Sequence, residues 1–295
     1  MKTQSTDTHP DVERVLIALL RQASSQKRFQ SVQAVTRSGI WASVHSWLHH
    51  HPEACEREAA VHYVASAYGE HLAQVIQKRL LGQEHWQVQP VDLLAILAPV
   101  FGALASVGIR SYIGGSLASS LHGMQQLAQD IDLVVHPECL GLAGNTLWRT
   151  IHTPALKEHY IIDEEAVQQG KSVSLLHLDT LMKVDVIVPQ HQTFDFAMAQ
   201  SIEMLRLDER YAAFPVASAV EMVLWKMIRY HVDTLARHDG MEDDAGWNDI
   251  LGMLKVQGTD LDRLVLEEWA KQFAIEGVLE QALSDAGVSD VPRAP

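Results

Sequence analysis

Cysteine is nearly absent from this sequence: Cys55 and Cys139 are the only two in 295 residues. Their distance in sequence excludes a disulfide-stapled scaffold and fits a reducing compartment, with both read as small buried hydrophobes rather than reactive thiols. Long apolar runs are missing too, since none approaches the roughly 18–20 residues that span a bilayer. The opening segment MKTQSTDTHP lacks the charged-then-apolar order of a secretion signal, so the expectation is a cytoplasmic protein that does not enter a membrane. Positive charge is scarce, with 23 Lys and Arg against 37 Asp and Glu leaving a formal charge of −14. That balance disfavours broad, sequence-independent binding to a nucleic-acid backbone, while leaving room for a local basic patch that grips one end of an RNA. Internal repeats and low-complexity tracts are also absent.

What is present is enough apolar material, 47% of the chain against 20% charged, to bury a sizeable core in more than one domain. The character of the sequence changes near residue 85. Before it, Pro10 and Pro52 stand where first helical turns begin, and Gly82 where a helix ends. Val61, Val64, Tyr68, Leu72, Val75 and Leu80 recur at helical steps and predict one long amphipathic helix. GQEHWQVQP (82–90) reads as a linker. A dense apolar run over 91–105 then predicts a helix closed by Gly108, followed by a short strand at 109–113. The expected organisation is a helical domain over 1–85 with no motif to assign its role, a sheet-containing core over 91–210, and a helical lobe over 211–295. The expected class is α+β, a mixed sheet flanked by helices, with the active cleft between core and lobe.

Residues 112–136, YIGGSLASSLHGMQQLAQDIDLVVH, concentrate the chemistry. They read as strand, turn, short helix and strand. Gly114 and Gly115 let the backbone turn sharply and approach a ligand, and Ser116 opens a helix whose free N–H groups favour an anion such as a triphosphate. In DIDLVV, strand alternation puts Asp130, Asp132 and Val134 on one face and Ile131, Leu133 and Val135 on the other. Paired carboxylates repel, and oxygen donors suit a hard divalent cation, so the pair predicts a metal site. Asp185 stands mid-strand in MKVDVIVP (182–189), where an unpaired buried acid is costly. Lying beside Asp130 and Asp132 removes that cost. Three carboxylates holding two Mg²⁺ ions are a recurrent solution for in-line displacement at phosphorus.

GGS, a short helix ending in HG, then DxD in a strand and a later strand Asp resemble the nucleotidyltransferase fold superfamily, the polymerase-beta-like enzymes. Within it, residues 92 to 285 look most like the AbiEii/MenT-like group, which includes toxins of toxin–antitoxin systems. The resemblance implies transfer of a nucleoside monophosphate from an NTP to an acceptor hydroxyl on a tRNA end, a protein or a small molecule. It assigns Asp130, Asp132 and Asp185 as catalytic and metal-binding, and Gly114, Gly115 and Ser116 as nucleotide-binding. In EMVLWKMIRYH and the helix after it, Lys226 matches a lysine that meets phosphates and Asp249 an acid that shapes the site. An antitoxin partner is implied as well. The chain departs from the family pattern at Gln126 and Ala128, where relatives carry Arg and Thr.

Plainer readings stand beside these. Asp132 suits a strand-end hydrogen bond, and Asp185 a surface ion pair with Lys183. Lys226 shares a helix face with Met222 and Tyr230 and suits a side chain that snorkels from an apolar stripe. His122 ends the short helix and Gly123 suits its C-terminal cap. His49, His50 and His51 lack a chelating spacing, HDGMEDD (238–244) is a solvated linker, and Trp225, Trp247 and Trp269 pack helices. Two further function classes remain open: a non-catalytic nucleotide-binding module, and an interaction scaffold whose N-terminal helices bind a partner.

Overall fold

The computed structural model of the chain describes residues 2–4, 7–139, 145–163, 172–189, 192–236 and 244–288. Most of the acidic stretch at 238–244 lies outside them. Among the described residues the fold is α+β, as expected, a mixed sheet with helices around it. No helix among them is long and apolar enough to cross a membrane. The chain forms two compact units, each discontinuous in sequence: one of residues 31–116 and 126–199, the other of residues 1–30, 117–125 and 200–295.

The first unit holds strands β1 (Ser111–Ile113), β2 (Asp130–Val135), β3 (Tyr160–Asp163), β4 (Ser172–His177) and β5 (Lys183–Ile187), in the order β3-β4-β5-β2-β1. β2 and β5 run parallel, and the other neighbours are antiparallel. Alternation along β2 and β5 gives the sheet one apolar face: Ile131, Leu133, Val135, Val184 and Val186 are fully buried. The Tyr160 hydroxyl donates to the Ile96 carbonyl at 2.5 Å and ties β3 to the helix Leu93–Ser106. Helices Glu56–Tyr68 and Glu70–Arg79 belong to this unit as well, and their Ala60, Val64, Leu72 and Ile76 share a core with Ile161 of β3 and Leu176 of β4.

Two local expectations are corrected. The single long helix is two, because Gly69 takes φ +96° between Tyr68 and Glu70, a conformation that breaks the helical hydrogen-bond ladder although the apolar spacing runs on. Pro52 opens no helix. It lies in the turn after Ser25–His50, and the next helix begins at Glu56.

The second unit is mainly helical: Pro10–Gln22, Ala219–Ala236, Asp244–Gln257, Arg263–Gln272 and Glu276–Ala286, with a hairpin of β6 (Glu203–Leu205) and β7 (Phe214–Val216). Its interior contains a sealed ion pair. Lys255 donates to Glu13 at 2.6 Å and to the Lys2 carbonyl at 2.5 Å, and both charged side chains are 1% exposed. Trp247 and Trp269 are buried among these helices. The short helix ends at His122 with Gly123 directly after it, as expected, and Gly123 has no positive φ. It lets the backbones approach, because a Cβ there would lie 2.9 Å from the Met253 backbone nitrogen.

Candidate metal centre

The DIDLVV strand and the KVDVI strand are neighbours, and their register decides what the acids do. Asp132 lies directly beside Asp185, and Asp130 beside Lys183. All four side chains therefore project from the sheet face opposite Ile131, Leu133 and Val184. Asp130, Asp132 and Asp185 each bring a carboxylate oxygen to within 4.8 Å of the others. Oxygens bound to one hard divalent ion lie about 3–5 Å apart, so the three acids fit such an ion without rearrangement of the backbone.

The glycine turn is built around the same carboxylates. The Gly114 N–H donates to the Asp132 carbonyl at 2.9 Å, continuing the β1–β2 pairing into the turn. Gly115 opens the helix Gly115–His122 with φ +57°, and a Cβ on it would stand 1.7 Å from Asp132 Oδ2. Only glycine allows both the conformation and the approach. Ser116 donates its hydroxyl to the Asp130 carbonyl at 3.3 Å. Gly114, Gly115, Ser116, Asp130, Asp132 and Asp185 are thus brought together.

Ser174, Tyr68 and Lys183 complete the cluster; of these the sequence points only to Lys183, as an ion-pair partner of Asp185. Ser174 of β4, opposite Asp185 in register, donates to Asp185 Oδ1 at 2.5 Å. Lys183 Nζ lies 2.8 Å from Asp185 Oδ2 and 3.6 Å from Asp130 Oδ2. Tyr68, the last residue of the helix Glu56–Tyr68, places its ring centroid 5.4 Å from the same ammonium and donates its hydroxyl to the Gln129 carbonyl at 2.7 Å. Burial pushes Lys183 down, but the carboxylates of Asp185, Asp130 and Asp132 more than offset it, and its pKa is raised above the ordinary value. Burial, then Tyr63 and Asp130, raise the Tyr68 hydroxyl well above its ordinary value and keep it a donor. Period-two spacing from Asp185 back to Lys183 is the signal that marks the lysine. Ser174 and Tyr68 carry no comparable signal, because long-range pairing and helix packing bring them in.

Lys226 and Asp249 lie in the second unit and meet each other at 2.5 Å, with their side chains 21% and 11% exposed. Of Gln126 and Ala128, the two positions singled out before DIDLVV, Ala128 is fully buried and its N–H donates to Thr36 Oγ1 at 3.1 Å. His122 is buried, with Nε2 2.7 Å from the Ala217 carbonyl. Burial chiefly lowers its pKa, and Arg28 lowers it further, while Glu203 and the Ala217 hydrogen bond oppose them.

No family model matches the chain, and no curated protein matches it. Among solved structures the chain is similar to the crystal structure of an antigenic nucleotidyltransferase-like protein from Paracoccidioides brasiliensis, with 13% identity and a TM-score of 0.42 over 66% of this chain and 95% of that one.

Proposed function

We propose that the chain is a metal-dependent nucleotidyltransferase that moves a nucleoside monophosphate from an NTP to an acceptor hydroxyl and releases pyrophosphate. The observation that supports this most is the convergence of Asp130, Asp132 and Asp185 within 4.8 Å, beside the turn of Gly114, Gly115 and Ser116. Within the polymerase-beta-like superfamily, the sequence resemblance favours the AbiEii/MenT-like group. A toxin role and an antitoxin partner belong to that proposal, as does a tRNA end or a protein as acceptor.

Asp130, Asp132 and Asp185 would hold Mg²⁺, with two ions expected at full loading. Bound there, the metal supplies positive charge to the phosphoryl group and to the leaving pyrophosphate. The free N–H groups of the first turn of Gly115–His122 orient the triphosphate, and Gly115 keeps the space beside Asp132 clear. Asp185, held from the other side by Ser174, orients the acceptor hydroxyl and receives its proton. Contact of Lys226 with phosphate requires that it leave Asp249.

A second reading, a nucleotide-binding module without catalysis, is favoured by one observation. Where relatives carry a Thr, Ala128 is buried and its backbone is tied to Thr36. Incubation with each α-labelled NTP, Mg²⁺ and total RNA or protein separates the readings. Transfer of label with release of pyrophosphate supports the enzyme, and metal-dependent NTP binding without release supports the module.

A further inference from the structure

The acid cluster carries its own cation. Three carboxylates face one ammonium, and Lys183 bridges the two acids, Asp130 and Asp185, that flank it. Its side chain is 17% exposed, and its ammonium lies over the Tyr68 ring at 5.4 Å from the centroid as well as beside the carboxylates. A divalent ion that took oxygens from both Asp130 and Asp185 would stand among the atoms that Lys183 now contacts. Two cations repel at such distances, and an ammonium on a flexible four-carbon stem is the one that can move. The chain also lacks a cation before DIDLVV, where Gln126 and Ala128 stand.

We infer that Lys183 is an internal counter-ion which an arriving metal displaces from Asp130 and Asp185, and which then serves as the cation that meets the phosphates of the bound nucleotide. The inference rests on the metal-site reading above and adds a ligand-binding residue to it. It also gives the helix Glu56–Tyr68 a part in the site, since Tyr68 limits where the lysine can swing.

Its consequence is a pair of effects of opposite sign. Without nucleotide, Lys183 competes with the metal, so Lys183→Met tightens binding of Mn²⁺. With nucleotide, Lys183 assists, so the same substitution weakens binding of an Mn²⁺–nucleotide complex. A lysine that merely braces the strands would move both affinities in one direction.

The test is titration of the full chain with Mn²⁺, followed by electron paramagnetic resonance of the free ion, alone and with each of the four α,β-methylene nucleoside triphosphates. Lys183→Met is expected to bind Mn²⁺ at least about tenfold more tightly and the Mn²⁺–nucleotide complex at least about tenfold more weakly than the wild type, the scale of removing one adjacent charge. Changes of the same sign, or none, would overturn the inference while leaving the metal site standing, provided that Asp132→Asn abolishes Mn²⁺ binding. Absence of Mn²⁺ binding by the wild type would remove both. If Lys183→Met does not fold, acetylation of wild-type Lys183 followed by mass spectrometry decides. Reactivity that rises with Mn²⁺ and falls again with Mn²⁺–nucleotide supports the displacement, and unchanged reactivity contradicts it.

Discussion

Lys255 and Lys183 both answer carboxylates, one in each compact unit, but the first is sealed and balanced while the second is open and outnumbered. Lys255 has one acid partner, Glu13, and both are 1% exposed. Lys183 faces Asp130, Asp132 and Asp185, with side-chain exposures of 33% at Asp130 and 15% at Asp185. Removing two charges from water is worthwhile only when each is fully answered, and the Lys2 carbonyl adds a further bond to Lys255. Such a pair has a structural task. A cluster that keeps excess negative charge at the end of an accessible sheet face is unfavourable on its own, and becomes favourable when a cation arrives.

Ways to break this contrast follow in order of expected size. Lys255→Met strands a buried carboxylate and should cost about 3–5 kcal/mol of stability, measured by denaturant unfolding. Metal should not restore it. Lys183→Met should also lower stability in EDTA, by a smaller amount, but millimolar Mn²⁺ should restore it, since a ligand that binds only the folded state stabilises that state. Equal response of the two variants to metal would erase the distinction between them. Gly115→Ala forces an L-residue into the left-handed region at about 1–2 kcal/mol and pushes a methyl into Asp132, so metal affinity should fall along with stability. Gly102→Ala has open space around its Cβ and serves as the comparison.

The smallest effect concerns pH and lies in the other unit. The folded state holds the His122 pKa below its ordinary value of 6.5, chiefly through burial. Below pH 6.5 the unfolded chain therefore binds a proton that the folded chain resists, and stability falls as pH drops until the folded pKa is reached. Thermal unfolding between pH 7.5 and 5.5 should show a shallower slope for His122→Gln than for the wild type. Parallel slopes would show that His122 titrates alike in both states.

Much of the site is legible because it is local. The GGS turn, the short helix after it, and the alternation that aims Asp130 and Asp132 to one side all follow from a few adjacent residues. The approach of Asp185 was legible as chemistry, from the cost of an acid in an apolar strand, although the parallel pairing of β2 with β5 was not. Register is a long-range property, and nothing in KVDVI names its partner. The same limit hid Ser174, whose role depends on β4 lying beside β5, and Tyr68, which arrives on a helix about sixty residues before the acids. The ion pair of Lys183 with Asp185 was visible as a plain alternative to metal binding. The structure holds that pair and the acid triad at once, which makes the two readings compatible. Gly69 shows the opposite failure, since an apolar stripe can continue across a break that one left-handed glycine creates.

The central claim is that Asp130, Asp132 and Asp185 hold a metal for a nucleotide. Calorimetric titration of the four NTPs with and without Mg²⁺, comparing the wild type with Asp130→Asn/Asp132→Asn, tests it most directly. The account predicts binding of at least one NTP that requires Mg²⁺ and is lost in the double variant. Binding of no NTP under either condition, or binding that the substitutions leave intact, would contradict it.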